Sequence, residues 1–199
     1  MVNKKVAKAL ADANVVKFGK FTLASGIESP IYINLRVLPS YPESMKAVSE
    51  ELSKLVKKLK PDVVAGAETA GIPLSTAISL KTGIAMIYVR KKPKTYGTMD
   101  LVEGVLEKGK KVVLVDDMAT NAYSKLIFVE GIKHAGGLVE DVVIVLDREQ
   151  GGAEALAKES INLHSLITLK ELLSYMKDNG MIDDEKLNEI LLYLKQNKG

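Results

Sequence analysis

Four short apolar runs, each rich in β-branched residues, constrain this chain more than any other feature. They are VVAGA (63–67), IAMIYVR (84–90), KVVLVDD (111–117) and VEDVVIVLD (139–147). Each is apolar on both faces, where a strand with one face in water would alternate, so each belongs inside a sheet covered on both sides. Helical patterns lie between them. After Pro42, which suits a first helical position, Met45, Val48, Leu52, Leu55, Val56 and Leu59 fall on one stripe at helical spacing. IPLSTAISLKTG (72–83) reads as a second helix stopped by Gly83. Ile127, Val129, Ile132 and Ala135 continue a third that ends at Gly136 and Gly137. This alternation predicts an α/β fold with a central, mainly parallel sheet flanked by helices.

The two ends differ from this middle. FTLASGIESPIYINLR (21–36) has two extended pieces around a Ser-Gly turn and reads as a hairpin in a small N-terminal hood covering roughly residues 1–40. From Leu169 to residue 199 the chain is helical in pattern and lysine-rich, as a covering helix pair would be. No repeat, linker or low-complexity tract interrupts the sequence, so one domain over residues 1–199 is expected.

Composition narrows the function classes. There is no cysteine, which excludes a disulfide framework and a thiolate zinc site. The two histidines, His134 and His164, are too far apart in sequence to suggest a histidine-rich metal site, and no resident metal is expected. A net charge of +3 from 28 basic and 25 acidic residues is too balanced for a dedicated nucleic-acid binder. No apolar run reaches the roughly eighteen residues of a membrane span, so a cytoplasmic protein without a membrane anchor is expected.

In open α/β sheets, ligands bind beyond the carboxyl ends of the strands. The segments there are polar: Glu68-Thr69-Ala70-Gly71 after the first run, Arg90 to Thr98 after the second, Asp116 and Asp117 closing the third, Asp147 and Arg148 after the fourth. The start of the helix after Asp117, with the Thr120 and Ser124 hydroxyls, is a phosphate cradle backed by the helix dipole. Two carboxylates just before it would repel a phosphate and suit sugar hydroxyls or a magnesium ion brought by the substrate. The lysine-rich stretch after Arg90 suits a second phosphate group. A phosphate, a diol and a pyrophosphate together describe phosphoribosyl pyrophosphate.

VVLVDDMAT resembles the phosphoribosyl pyrophosphate signature of type I phosphoribosyltransferases: an apolar strand, two acids, two small or apolar residues, then threonine. FTLASGIESPIYINLR, AGIPLSTAISLKTG, RKKPKTYGT and LDREQGG narrow the resemblance to the orotate phosphoribosyltransferases, in order from about residue 15 to 160. That resemblance implies the type I phosphoribosyltransferase fold and transfer of the phosphoribosyl group to orotate, giving orotidine 5′-phosphate in pyrimidine biosynthesis. It also implies magnesium carried in with the donor, and a homodimer with shared active sites in which Lys94 reaches into the neighbouring subunit. An orotidine 5′-phosphate decarboxylase is a possible further partner.

Carried over position by position, the resemblance assigns Arg90, Lys91 and Lys94 to the pyrophosphate, with Tyr96 in the same loop. Asp116 and Asp117 would bind the ribose hydroxyls. Met118, Ala119, Thr120, Asn121, Ala122, Tyr123 and Ser124 would wrap the 5′-phosphate. Tyr32 and Ile33 would lie against orotate, with Thr120 and Arg148 touching it, the Arg148 guanidinium reading its carboxylate. Lys94, Asp117 and Arg90 form the implied catalytic set. The family pattern places glycine at position 122, 123 or both, and lysine at the positions of Ala24 and Ala70. An alanine at 122 fits if its φ stays negative, and the Tyr123 ring must either point outward or occupy the pocket. Two other readings stand beside the first: a transferase for another base, and a weakly active or non-catalytic binder of the same donor.

Overall fold

The computed structural model describes residues 2–22, 26, 28–92 and 101–197. Helix α1 (Lys4–Asp12), N-capped by the Asn3 side chain, leads into strands β1 (Val16–Thr22) and β2 (Glu28–Ile33), which pair antiparallel as the expected hairpin. A 3-10 segment (Leu35–Ser40) follows. Helix α2 (Pro42–Leu59) begins on its proline and buries Val48, Leu52 and Val56 from the expected stripe. Then come β3 (Val63–Ala67), α3 (Gly71–Thr82), β4 (Ala85–Val89), the two-residue β5 (Val102–Glu103), β6 (Lys111–Ala119), α4 (Tyr123–His134) and β7 (Leu138–Asp147). The chain closes with α5 (Gly152–Lys158), β8 (Asn162–Thr168), α6 (Leu169–Asp178) and α7 (Asp184–Gln196).

The main sheet runs β5-β4-β3-β6-β7-β8, parallel throughout except for β5. The four apolar runs are its inner strands. Their two-residue period divides them between two cores. Val113 and Val115 of β6 join α1, α2, α3 and the hood, while Val112 and Leu114 join Phe128, Val129 and Ile132 of α4 and Leu156 of α5. β8 and α5 extend the alternation beyond the four runs. β8 is a half-exposed edge strand, and that weakens its apolar signal in sequence. Among the described residues, no helix is long and apolar enough to cross a membrane.

Two contacts set the geometry at the carboxyl end. A side chain at Gly71 would strike the Val115 carbonyl, and one at Gly66 would strike the Ser75 hydroxyl. Helix α3 therefore starts directly against β3 and β6. β6 also runs past both aspartates to Ala119, pairing Asp116 with Ile144 and Met118 with Leu146, so the acids sit in the strand itself and the turn begins later.

Candidate active site

Adjacent strand residues point to opposite faces, so Asp116 and Asp117 straddle the end of β6. Asp116 shares the α4 side with Leu114 and is 5% exposed. One of its oxygens meets Lys125 Nζ at 2.6 Å and the other accepts the Asp117 amide at 2.8 Å. Burial pushes its carboxyl up to about 6, against the downward pull of Lys125 and the Asp117 amide and with a further push from the Asp117 charge. Asp117 is half-buried, and its Oδ1 accepts the Met118 amide at 2.7 Å.

Both acids line a cleft of about 360 Å³. Its other walls are Ile33 and Arg36 from the hood side, Glu68, Thr69 and Ala70 from the β3–α3 loop, Lys91 after β4, and Met118, Ser124, Lys125 and Phe128. Glu68 accepts the Lys91 amide at 2.7 Å, joining two of the polar segments into one rim. Arg36 Nη2 lies 3.4 Å from the Tyr32 hydroxyl.

The turn into α4 resolves the question raised by its missing glycines. Ala122 takes the left-handed conformation, φ 60° and ψ 4°, so the condition of a negative φ is not met. That conformation costs a non-glycine residue roughly 1–2 kcal/mol. The methyl is 3% exposed and packs in the α4-side core, which offsets part of the cost. The loop is also fixed from behind, because a Cβ on Gly152 would come within 2.9 Å of the Thr120 carbonyl. Asn121 Oδ1 accepts the Tyr123 amide at 3.3 Å, occupying one N–H of the proposed cradle. The Tyr123 ring is 70% exposed and lines a separate apolar hollow with Leu101, Leu126, Ile127 and His134, so it does not plug the cleft.

The remaining expected residues divide. Ile33, Lys91, Asp116, Asp117, Met118 and Ser124 line the cleft. Ala119 is a core residue. Arg90 turns away, with Nη1 3.7 Å from Glu103 and Nε donating to the Lys92 carbonyl. Tyr32 packs on Phe21, ring centroids 5.5 Å apart. Arg148 is held at the rim by its amide, which donates to the Ala119 carbonyl at 3.1 Å, but its side chain lines a different cavity of about 370 Å³ with Leu191, Leu194 and Lys195 of α7. Its Nε is buried without a hydrogen-bond partner among the described residues, and burial lowers the guanidinium pKa. Lys94, Tyr96 and Ala24 lie outside the described residues. Arg36, Lys125 and Phe128 are cleft residues that the sequence reading did not assign. Arg36 closes a quoted segment, whereas a lysine in a first helical turn gives no sign in sequence of pointing inward.

Comparison with known proteins places this geometry. Residues 38–164 match the phosphoribosyl transferase domain. The chain is 41% identical to an orotate phosphoribosyltransferase of Methanocaldococcus jannaschii over 171 residues, covering 85% of this chain and 96% of that protein. It is 37% identical to that of Pyrobaculum islandicum, covering 93% and 95%. Among solved structures, the orotate phosphoribosyltransferase of Aeropyrum pernix superposes with a TM-score of 0.78 at 31% identity, covering 89% of this chain and 99% of that one. UMP synthase of Leishmania donovani superposes with a TM-score of 0.88 at 33% identity, covering 98% of this chain and 43% of that one.

Proposed function

We propose, from the premise that this chain belongs to the orotate phosphoribosyltransferases of the phosphoribosyl transferase domain family, that it transfers the 5-phosphoribosyl group from phosphoribosyl pyrophosphate to orotate. The products are orotidine 5′-phosphate and pyrophosphate. The observation that carries this reading is the cleft at the carboxyl end of the sheet, where Asp117 stands between the start of α4 and the Glu68–Lys91 rim.

The orotate ring nitrogen attacks the anomeric carbon of the ribose as the bond from that carbon to the pyrophosphate oxygen breaks, and its electron pair leaves with pyrophosphate. Positive charge develops on the sugar ring and negative charge on the leaving group, so the protein's task is to orient the reactants and offset those charges. Asp117 takes the ribose hydroxyls with the carboxylate edge not used by the Met118 amide. The α4 start and Ser124 receive the 5′-phosphate. Lys91 is the cleft cation assigned to the pyrophosphate, Lys94 is assigned to it by the family resemblance, and Arg90, held by Glu103 and the Lys92 carbonyl, would have to turn to join them. Ile33 lines the cleft where the base would lie, with Tyr32 beside it on the hood, and the Arg148 side chain, seated against α7, would have to turn toward the cleft to read the orotate carboxylate.

Among the described residues, no cluster of three or more acidic or histidine ligands could form a metal site. The residues present would suit magnesium carried in with the donor, with the cleft carboxylates Asp117 and Glu68 available to help hold it. When bound, that ion neutralises charge on the leaving group. Two further assignments accompany this reading: a homodimer in which Lys94 serves the neighbouring site, and a cytoplasmic enzyme working beside an orotidine 5′-phosphate decarboxylase.

Loss of orotate absorbance in the presence of phosphoribosyl pyrophosphate and magnesium tests the reaction. Turnover that stops when either is withheld is expected; no loss of orotate at any donor concentration overturns it. Light scattering tests the dimer, with a monomer at assay concentration as the contrary result.

A further inference from the structure

We infer that Arg36 is a further donor-binding residue, whose guanidinium takes the pyrophosphate end of the donor from the hood side of the cleft. This rests on the donor reading above. With the 5′-phosphate at the start of α4 and the ribose at Asp117, the pyrophosphate is left to the wall made by the Glu68–Ala70 loop and Lys91.

The chain has three arginines, Arg36, Arg90 and Arg148. Arg90 is held by Glu103 and the Lys92 carbonyl, and Arg148 lies against α7. Arg36 is the one of the three that lines the cleft. Its backbone is fixed on both sides: Leu35 and Leu38 of the same 3-10 segment are buried, and the Asn34 amide donates to the Val15 carbonyl at 2.8 Å. The side chain, by contrast, is exposed and loosely held. Nε lies 3.5 Å from Asn34 Oδ1 and Nη2 lies 3.4 Å from the Tyr32 hydroxyl, both at the long limit of a hydrogen bond. No carboxylate among the described residues pairs with it. A guanidinium carries five donors in a planar fork that matches phosphate oxygens, so most of that capacity is left for a ligand.

Charge and room point the same way. Of the other cations on the cleft, Lys125 is bound to Asp116 at 2.6 Å, and Lys91 has no carboxylate partner among the described residues. Glu68, Asp116 and Asp117 line the same space, so a pyrophosphate entering it needs cations on more than one side. Arg36, Thr69 and Ala70 border two hollows in common, the cleft and one of about 150 Å³ beside it. Ile33 borders only the first of these two, which puts Arg36, and not the base-side residue, against that loop. Position 70 carries only a methyl, leaving the space between hood and α3 open to the guanidinium. Arg36 thus meets the leaving group from the hood while Lys91 meets it from the end of β4.

The experiment compares the full chain with Arg36→Ala and Arg36→Lys, by calorimetry with magnesium pyrophosphate and with ribose 5-phosphate, and by KM for both substrates. Arg36→Ala should weaken pyrophosphate binding and raise donor KM about tenfold or more, with ribose 5-phosphate affinity and orotate KM within about twofold. Arg36→Lys, which keeps the charge and loses the fork, should fall between. Unchanged pyrophosphate binding in Arg36→Ala overturns the proposal, as does a loss confined to orotate KM, which would make Arg36 a reader of the base carboxylate. An equal loss for ribose 5-phosphate also overturns it, because the hood would then have shifted as a whole. If the wild type shows no turnover, the reading of the reaction fails, and the two calorimetric arms decide the role of Arg36 alone; a wild type that binds no magnesium pyrophosphate overturns that role too. Arg36→Gln, which keeps most of the stem, takes the place of Arg36→Ala should the latter not fold.

Discussion

Asp116 and Asp141 are each 5% exposed, and their carboxyls are displaced in opposite directions. Asp141 lies toward the amino end of the sheet. Burial pushes its carboxyl up, but His164 at 2.8 Å, the Asn162 amide at 3.3 Å and Lys111 at 3.5 Å outweigh that push and hold it below the ordinary aspartate range. Asp116 lies at the carboxyl end, where burial prevails over Lys125 and the neighbouring Asp117 adds repulsion. Equal surface exposure therefore hides a difference in depth: Asp116 is enclosed much more deeply than Asp141, and burial prevails only there. The amino-end acid is surrounded by donors and acts as a clamp between strands. The carboxyl-end acids are crowded together, and Lys125 offsets only part of the cost of holding Asp116 charged there.

The contrast fails first, and most visibly, at Asp117. Asp117→Asn should lower kcat/KM by about a hundredfold or more in the orotate assay while leaving stability within about 0.5 kcal/mol. A large loss of stability would make the carboxyl end structural too. Asp141→Asn should do the reverse, costing about 1–3 kcal/mol in denaturant unfolding at neutral pH with kcat unchanged.

The pH dependence sharpens the same comparison. A carboxyl depressed in the folded state stabilises above its unfolded pKa and loses that contribution as pH falls through the folded value. The gap between wild type and Asp141→Asn should therefore close below about pH 4. At Asp116 the sign is opposite. Its folded value lies above the unfolded one, so ionising it costs stability as pH rises from about 4. Its carboxyl carbon signal should titrate near 6, and a midpoint near 4 would erase the difference between the two ends.

Smaller effects are expected at the turn. Ala122→Gly releases the left-handed strain but loses a buried methyl and adds backbone freedom. Its stability should stay within about 1 kcal/mol of wild type, with donor KM lowered about two- to threefold. Tyr123→Ala should change stability by less than about 0.5 kcal/mol and donor KM by less than about twofold, because the ring faces solvent. A strong effect of Tyr123→Ala on donor KM would mean that the ring reaches the cleft after all.

The buried strands were legible because a parallel strand covered on both faces announces itself as an unbroken apolar run. VVAGA coincides with β3 in full. NLHSLIT did not stand out, because an edge strand alternates weakly and half of it meets solvent. In the cleft, the acids, Lys91 and Ser124 were readable because the strand pattern fixes which residues reach the carboxyl rim. Lys125 and Arg36 were not, since whether a long cationic side chain turns inward depends on packing that no local pattern records. The conformation of Ala122 was also beyond the sequence. Its φ is set by tertiary contact with Gly152 and the α4-side core, which override the local preference of alanine.

The hydrogen that stands in for a side chain at Gly71 acts as a spacer gauge. An engineer seeking room for a bulkier base could not gain it by substitution there, because any carbon at that position would lever α3 off the Val115 carbonyl. The Glu68–Ala70 loop would then move with the helix while the acids stayed on the sheet. The cleft wall formed by that loop would shift against the two acids that face it.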